Sequence, residues 1–372
     1  MGKIEFCSPC LFGLEGVLAK ELKDIEAENI RAENGRVLFS GDYNTLARAN
    51  ICLRTAERVC IVLGSFYAKT FDNLFEGTKR LPFERFIGKS NAFPVSGWSL
   101  DSKLFSVRDC QKIIKKAAVT RLSEKYKVSW FEETGSTVKI RFSILKDSVT
   151  IMLDTSGEPL HKRGYRAQST IAPIKETLAA AMVMLSRPYS DSTLYDPFCG
   201  SGTILVESAL IAAGISPGLK RRFAAENWGS VKPIVFKNER IRARESINRG
   251  IEFKAIGSDI DENAVALTLE NAKKAGVEEF VTAKAADISD FSPATERRII
   301  VTNPPYGERL LDIDEARRLY GVCGRVFEKK HGYRYSVISP DEQFEQLFGR
   351  PADKRRKLYN GMLKCNLYMY FK

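Results

Sequence analysis

The segment RRIIVTNPPYGERL, residues 297–310, decides the reading of the fold. Ile299-Ile300-Val301 is a short apolar run of the kind that makes a buried parallel strand. Asn303, Pro304, Pro305 and Tyr306 follow at once. Neither proline can donate a backbone hydrogen bond, so the strand must end there. The result is a rigid corner holding one amide and one aromatic ring.

Around this corner, STLYDPF, AIGSDI, VTAKAAD and YRYSVISP read as further strands. Helical segments such as SGTILVESALIAAG and NAVALTLENAKKAG separate them. From about residue 172 this alternation predicts an α/β unit, a mostly parallel sheet with helices on both faces. In the tail KLYNGMLKCNLYMYFK, Asn360-Gly361 lies between two alternating apolar stretches. That is a hairpin signal, so the sheet is expected to end in antiparallel strands.

Upstream the pattern differs. Residues 1–65 read as a small α+β unit: a helix over 13–27, a strand over 35–41, then a second helix running into VCIVLGSF. Residues 66–160 contain a proline-broken helical stretch, a strand-and-loop region, a strong amphipathic helix over 107–126 and a hairpin over 137–157. Lys112, Lys115, Lys116 and Arg121 on that helix suit phosphate contacts, and a solvated helix face explains them equally well.

With 372 residues, of which 44% are hydrophobic, the chain can bury two or three cores. No apolar run has the roughly 18 residues of a membrane helix, and the N-terminus lacks a signal-peptide core. The expectation is a cytoplasmic protein, taken as a monomer by default, with eight scattered cysteines in a reducing compartment. Cys7 and Cys10 form a lone C-x-x-C without a second pair, so they are read as small buried thiols, not zinc ligands. The net charge of +12 favours a polyanionic partner. Basic runs at 220–222, 239–249 and 353–357 point to a phosphate-facing surface.

Four strand ends carry candidate chemistry. In DPFCGSGTILVE (196–207), Asp196 ends the first strand of the α/β unit, and Gly200 and Gly202 let a ligand approach the backbone at a helix start. A dinucleotide would want a third glycine where Leu205 stands, and a phosphate loop would want a lysine that is absent. An S-adenosylmethionine-like nucleoside with a charged amino-acid tail remains. Asp259, with Asp261 one register away, ends the second strand and can accept from both ribose hydroxyls. Asp287 follows the third strand and can accept from an adenine amine. At the fourth strand end, the Asn303 side-chain oxygen and the Pro304 carbonyl can hold the hydrogens of a nucleobase amine, favouring a pyramidal and nucleophilic nitrogen. Tyr306 offers its ring face to an extruded base, so its hydroxyl is expected to be dispensable.

Taken together, NPPYGERL, DPFCGSGT and LHKRGYR (160–166) resemble the bacterial THUMP-domain RNA guanine-N2 methyltransferases. The resemblance implies a ferredoxin-like subdomain over 1–65, a THUMP RNA-binding domain over 66–160, and a Rossmann-like class I methyltransferase over 165–372. It implies Asp196, Gly200 and Gly202 at the methionine part of S-adenosylmethionine, Asp259 at the ribose and Asp287 at the adenine. Asn303, Pro304 and Tyr306 then orient the base. It implies no metal, and the N2 amine of a guanine in RNA as substrate: 23S ribosomal RNA, with transfer RNA as the alternative. His161, Arg163 and Arg166 belong to the signature but receive no role. N-P-P-Y is shared with DNA amino-methyltransferases, which usually carry a separate target-recognition domain after it. A non-catalytic RNA-binding module would not need all four strand-end motifs, and a nicotinamide enzyme would want the missing glycine. Residues 1–160 are expected to supply RNA affinity, and their removal to leave cofactor binding intact.

Overall fold

In this computed structural model, residues 3–166, 174–188, 191–293, 298–307 and 312–371 are described. The first half comprises β1 (Ile4–Pro9), α1 (Glu15–Asp24), β2 (Glu28–Glu33), β3 (Arg36–Gly41), α2 (Tyr43–Cys52), β4 (Cys60–Tyr67), α3 (Phe71–Lys79), β5 (Val95–Leu100), α4 (Val107–Tyr126), β6 (Lys139–Leu145) and β7 (Ser148–Asp154). Their seven strands form one sheet in the order β2-β3-β1-β4-β7-β6-β5, antiparallel except for β5 beside β6. The expected division at residues 65/66 lies inside β4, which pairs with β1 on one side and along its length with β7 on the other. Strand β2 was hidden from pattern reading because five of its six residues are exposed, leaving no period of two to detect.

The second half comprises α5 (Glu176–Ser186), β8 (Thr193–Asp196), α6 (Thr203–Ala212), α7 (Pro233–Glu245), β9 (Lys254–Asp259), α8 (Glu262–Ala275), β10 (Val281–Ala285), β11 (Arg298–Thr302), α9 (Ile313–Val326), β12 (Arg334–Ser339), α10 (Phe344–Phe348), β13 (Lys354–Asn360) and β14 (Leu363–Tyr370). Its sheet runs β10-β9-β8-β11-β12-β14-β13. The first five strands are parallel, and β14 and β13 are antiparallel additions, as the sequence implied. Chain order reverses between β8 and β11, the position where open α/β sheets leave a crevice at their carboxyl ends.

The hairpin differs by one position from the expected Asn-Gly turn. Asn360 is the last paired residue, opposite Leu363, so Gly361 and Met362 are the two central residues. Only Gly361 takes a positive φ, +65°. Glycine at the first central position is the type II′ preference, whereas a type I′ turn would have used asparagine there.

One hydrophobic core runs from Ile4 to Met369 and joins the two halves. A second cluster under α9 and α10 is largely aromatic, with Phe344 stacked on Tyr368 at 4.5 Å and Phe348 on Tyr370 at 4.8 Å. Cys7 lies in a small cluster with Cys60 and Met152, and burial pushes the thiols of Cys7 and Cys10 up to about 12. Among the described residues no helix is long and apolar enough to cross a membrane.

Much of the basic surface is internally engaged. Arg121 forms a fork with Glu84 at 2.6 and 3.1 Å, and Lys115 pairs with Glu133 over the Phe93 ring. Arg240 pairs with Glu226, Arg242 with Glu26, Arg249 with Glu279 and Arg355 with Glu345. The phosphate-facing surface expected from the C-terminal basic runs is therefore thinner than charge counting suggested. Charge runs in a sequence do not reveal which carboxylates fold against them. On α4, Lys112 stays 72% exposed.

Candidate active site

The carboxyl ends of β8, β9, β10 and β11 meet at one edge of the second sheet. Register places Asp196 opposite Gly257, and Asp259 opposite Ala285. Asp196 is buried. Its Oδ1 accepts from Thr302 Oγ1 at 2.6 Å and from the Phe198 amide at 3.2 Å. Burial pushes its carboxyl up to about 7; those two hydrogen bonds oppose the shift, and the Asp259 charge adds to it. Thr302 thus ties the end of β8 to the residue before Asn303. Sequence reading missed this, because a threonine closing an apolar strand looks like any β-branched strand residue.

The turn after β8 folds back onto β9. The Cys199 amide donates to the Ser258 carbonyl at 3.0 Å, and the Gly200 amide to Asp259 Oδ2 at 2.9 Å. Gly200 and Gly202 have φ of +52° and +75°, a region open to glycine at little cost. A Cβ on Gly202 would lie 2.7 Å from Thr268 of α8, so that glycine also serves helix packing. Gly257, another residue the sequence reading passed over, leaves a β-carbon no room, with Leu205 at 2.5 Å. Gly202 caps α6 without a side-chain bond, so backbone N–H groups face the turn.

The structure separates the two aspartates after β9. Asp261 is the N-cap of α8, accepting from the Asn263 amide at 2.9 Å. Asp259 sits at the strand end and accepts from the Gly200 and Asp261 amides, each oxygen keeping a lone pair. Ile260 between them is 77% exposed, an apolar side chain at the mouth that suits a flat ring. Asp287 accepts from the Ser289 amide and hydroxyl at 2.8 and 2.6 Å, bonds that hold its carboxyl below its ordinary value. A buried acid, cramped glycines, a strand-end carboxylate with a lone pair left on each oxygen and an exposed apolar side chain fit a nucleoside with a charged tail.

At the β11 corner, Pro304 is buried and Asn303 half-buried. Tyr320 donates to the Pro305 carbonyl at 3.1 Å, fixing the loop. The Tyr306 hydroxyl donates to Asn303 Oδ1 and lies 3.4 Å from Asn360 Nδ2. The ring expected to offer its face to a base is half-buried, and the hydroxyl expected to be dispensable is bonded to the amide. The remainder of the NPPYGERL motif, residues 308–310, lies outside the described residues.

The signature stretch 160–166 acquires a role. Arg163 is buried; it bonds the Leu160 carbonyl at 2.6 Å and the Arg54 carbonyl, and meets Glu207 of α6 at 3.4 Å. Tyr165 donates to the same carboxylate at 3.1 Å. Arg166 pairs with Glu176 at 3.0 Å and reaches Thr203 Oγ1 at 3.3 Å. His161 lies 3.3 Å from Glu57. These residues clamp the connection between α2 and β4 to α5 and to α6, the helix that begins at the glycine turn.

Strand order, crevice and strand-end motifs define a class I methyltransferase fold joined to an α+β front half. The chain belongs to the RMKL-like methyltransferases: the RMKL-like methyltransferase domain matches residues 163–369, the RlmL ferredoxin-like domain 5–60 and the THUMP domain 68–154. It is 42% identical over 373 residues to YpsC of Bacillus subtilis (strain 168), provisionally named an RNA methyltransferase, covering 100% of this chain and 97% of that one. It is 34% identical to the ribosomal RNA large subunit methyltransferase K/L of Shewanella baltica (strain OS195), covering 96% of this chain and 52% of the relative, so it spans about half the length of that protein. Among solved structures, SMU.472, provisionally described as a methyltransferase and complexed with SAH, superposes with a TM-score of 0.94 at 39% identity, covering 100% and 98% of the two chains. A protein of Listeria monocytogenes str. 4b F2365, titled a predicted N6-adenine-specific DNA methylase, superposes with a TM-score of 0.94 at 43% identity, covering 100% and 97%.

Proposed function

We propose that this protein transfers a methyl group from S-adenosylmethionine to the exocyclic N2 amine of a guanine in RNA, with large-subunit ribosomal RNA as its substrate. The observation that supports this best is the β11 corner: an amide oxygen held at a proline-locked strand end, joined through Thr302 to the buried Asp196. The cofactor supplies an electrophilic sulfonium methyl with a thioether leaving group. Asp196 holds the ammonium of its methionine tail, the Gly200–Gly202 turn accommodates the chain, Asp259 accepts from the ribose hydroxyls and Asp287 from the adenine amine. Asn303 Oδ1 and the Pro304 carbonyl accept the two N–H bonds of the guanine amine, which turns its lone pair out of ring conjugation. As the nitrogen–carbon bond forms and the sulfur–carbon bond breaks, the nitrogen gives up one proton to solvent. No protein base is needed, because the methylated amine is acidic before it loses that proton.

Guanine is supported by the motif resemblance, ribosomal RNA also by the name of the K/L relatives, and a DNA amine is the competing reading that the likeness to the Listeria protein favours. The front half, with Lys112 exposed on α4, supplies RNA affinity, which should fall steeply with salt as phosphate contacts release counterions. The test is mass mapping of modified nucleosides in ribosomal RNA, transfer RNA and DNA from a strain lacking the protein, followed by restoration in vitro with the purified chain. Loss and restoration of N2-methylguanosine at one ribosomal position is the expected result. Loss confined to transfer RNA would move the substrate, and loss of a methylated DNA base would overturn the reading.

Two cofactor predictions arise here. Asp259→Ala should weaken S-adenosylmethionine binding by about 1.5–3 kcal/mol, the usual loss for hydrogen bonds to a charged group. Unchanged affinity by calorimetry on the folded variant would take Asp259 out of the site. For Asp196 the folded pKa of about 7 stands above the ordinary value of 3.8. Its contribution to stability is therefore present below the ordinary value and lost as pH rises through about 7, when a charge is forced into a buried site. A cofactor ammonium offsets that cost, so affinity should rise about tenfold from roughly pH 5.5 to 7. Asp196→Asn should bind weakly with a flat profile over that range; a flat wild-type profile would count against an Asp196–ammonium contact.

A further inference from the structure

We propose that Asn360, at the end of β13, is a positioning residue for the target amine, acting on Asn303 through the hydroxyl of Tyr306. The proposal rests on the assignment of Asn303 as an amine acceptor and adds the device that sets its orientation.

The chemistry of the three groups fixes the direction of the relay. Asn360 approaches with its side-chain nitrogen, 3.4 Å from the Tyr306 oxygen. An amide nitrogen has only hydrogens to offer, so the tyrosine oxygen accepts there. Its single hydrogen then serves Asn303 Oδ1, the acceptor it meets in the structure, with the Cys365 thiol as the other group beside the hydroxyl. Burial pushes the Tyr306 hydroxyl well above its ordinary pKa, so it keeps that hydrogen. Asn303 is thereby held with its oxygen toward the tyrosine, and the second lone pair of the same oxygen is left for a substrate N–H. With the amide turned over, Asn303 would present N–H to an amine that must itself donate.

Two further observations separate this from an ordinary turn contact. The hairpin makes no use of Asn360, since Gly361 alone takes the positive φ and Asn360 is a paired strand residue. The turn is also anchored from outside its own sheet. Arg356 of β13 donates twice to the Gly13 carbonyl, at 2.8 and 3.1 Å, and Phe12 meets Tyr359 edge-on at 5.9 Å. A Cβ on Gly13 would collide with the Lys357 carbonyl. The loop after β1 thus holds β13 at the height where Asn360 reaches the β11 corner.

The experiment is single-turnover methylation of ribosomal RNA from a strain lacking the protein, with full-length variants and radiolabelled S-adenosylmethionine. Asn360→Ala should slow the methyl-transfer step about tenfold, the loss tied to one net hydrogen bond, with cofactor affinity and RNA KM unchanged. Tyr306→Phe should cost about the same, and the double variant little more than either, because both cut one relay. Asn360→Gln, which keeps the N–H donor, should recover part of the rate. Asn360→Asp should not, since a carboxylate would draw the tyrosine hydrogen away from Asn303. Wild-type rates for Asn360→Ala beside a crippled Asn303→Ala would overturn the relay and leave the acceptor role of Asn303 standing. Losses that add fully in the double variant would also overturn it. If Asn303→Ala itself reacts normally, the parent reading fails first. Should Asn360→Ala misfold, the contrast of Asn360→Gln with Asn360→Asp decides the same point.

Discussion

Asn303→Ala is expected to lower single-turnover methylation by about 10²–10³, roughly 2.7–4 kcal/mol, by analogy with the removal of one preorganised oxyanion-hole donor. Cofactor affinity should hardly change, because the contacts assigned to the cofactor come from Asp196, Asp259 and Asp287, and the Thr302–Asp196 bond does not pass through the Asn303 side chain. Asn303→Asp keeps an acceptor oxygen in reach of the Tyr306 hydroxyl and should retain more activity than alanine. Its charge beside a sulfonium makes it the more informative variant, because the mechanism asks for acceptors and not for a neutral amide. Wild-type turnover by Asn303→Ala would reduce the proline-locked corner to a strand terminator.

Arg163→Ala is expected to have the largest effect on stability, a loss of about 3–5 kcal/mol, the range for removing one member of a buried pair. The Arg163 side chain is 2% exposed and Glu207 0%. Truncation leaves the carboxylate with Tyr165 as its hydrogen-bond donor and uncovers the Leu160 and Arg54 carbonyls. Arg163→Met combined with Glu207→Leu removes both charges and should recover part of the loss. Urea denaturation of the full chain measures this, and a change under about 0.5 kcal/mol, the size of an ordinary surface substitution, would show that the clamp contributes nothing. The same clamp makes removal of residues 1–160 a poor test of cofactor binding. Arg54 from the front half bonds the Leu210 and Ile215 carbonyls at 3.3 and 2.8 Å, and Arg48 forks onto Glu239 at 2.9 and 3.0 Å. The methyltransferase half would therefore lose part of its own core along with its neighbour.

The alternation of apolar runs with amphipathic segments was enough by itself to determine a parallel sheet closed by an antiparallel hairpin. Hydrophobic period is local, and the side-chain pattern of a buried strand differs from that of a helix over a few residues. The strand-end motifs were legible for a related reason: Asp196, Asp259, Asp287 and Asn303 each stand at or just beyond the end of a strand that the pattern marks, and strand ends of one parallel sheet share an edge. Contacts between residues far apart in the chain were decided by tertiary structure alone. Nothing local distinguishes Thr302 as a partner of Asp196, or Glu207 in an apolar helix as the partner of Arg163. Arg240, Arg242, Arg249 and Arg355 of the basic runs proved to be paired with carboxylates elsewhere in the chain, which no charge count could show. Asn360 looked like a turn residue until register moved the turn one position on and placed its amide beside Tyr306. Period and punctuation are written along the chain, whereas a hydrogen bond between residues 303, 306 and 360 exists only once two strands from separate parts of the sheet have been brought to the same edge.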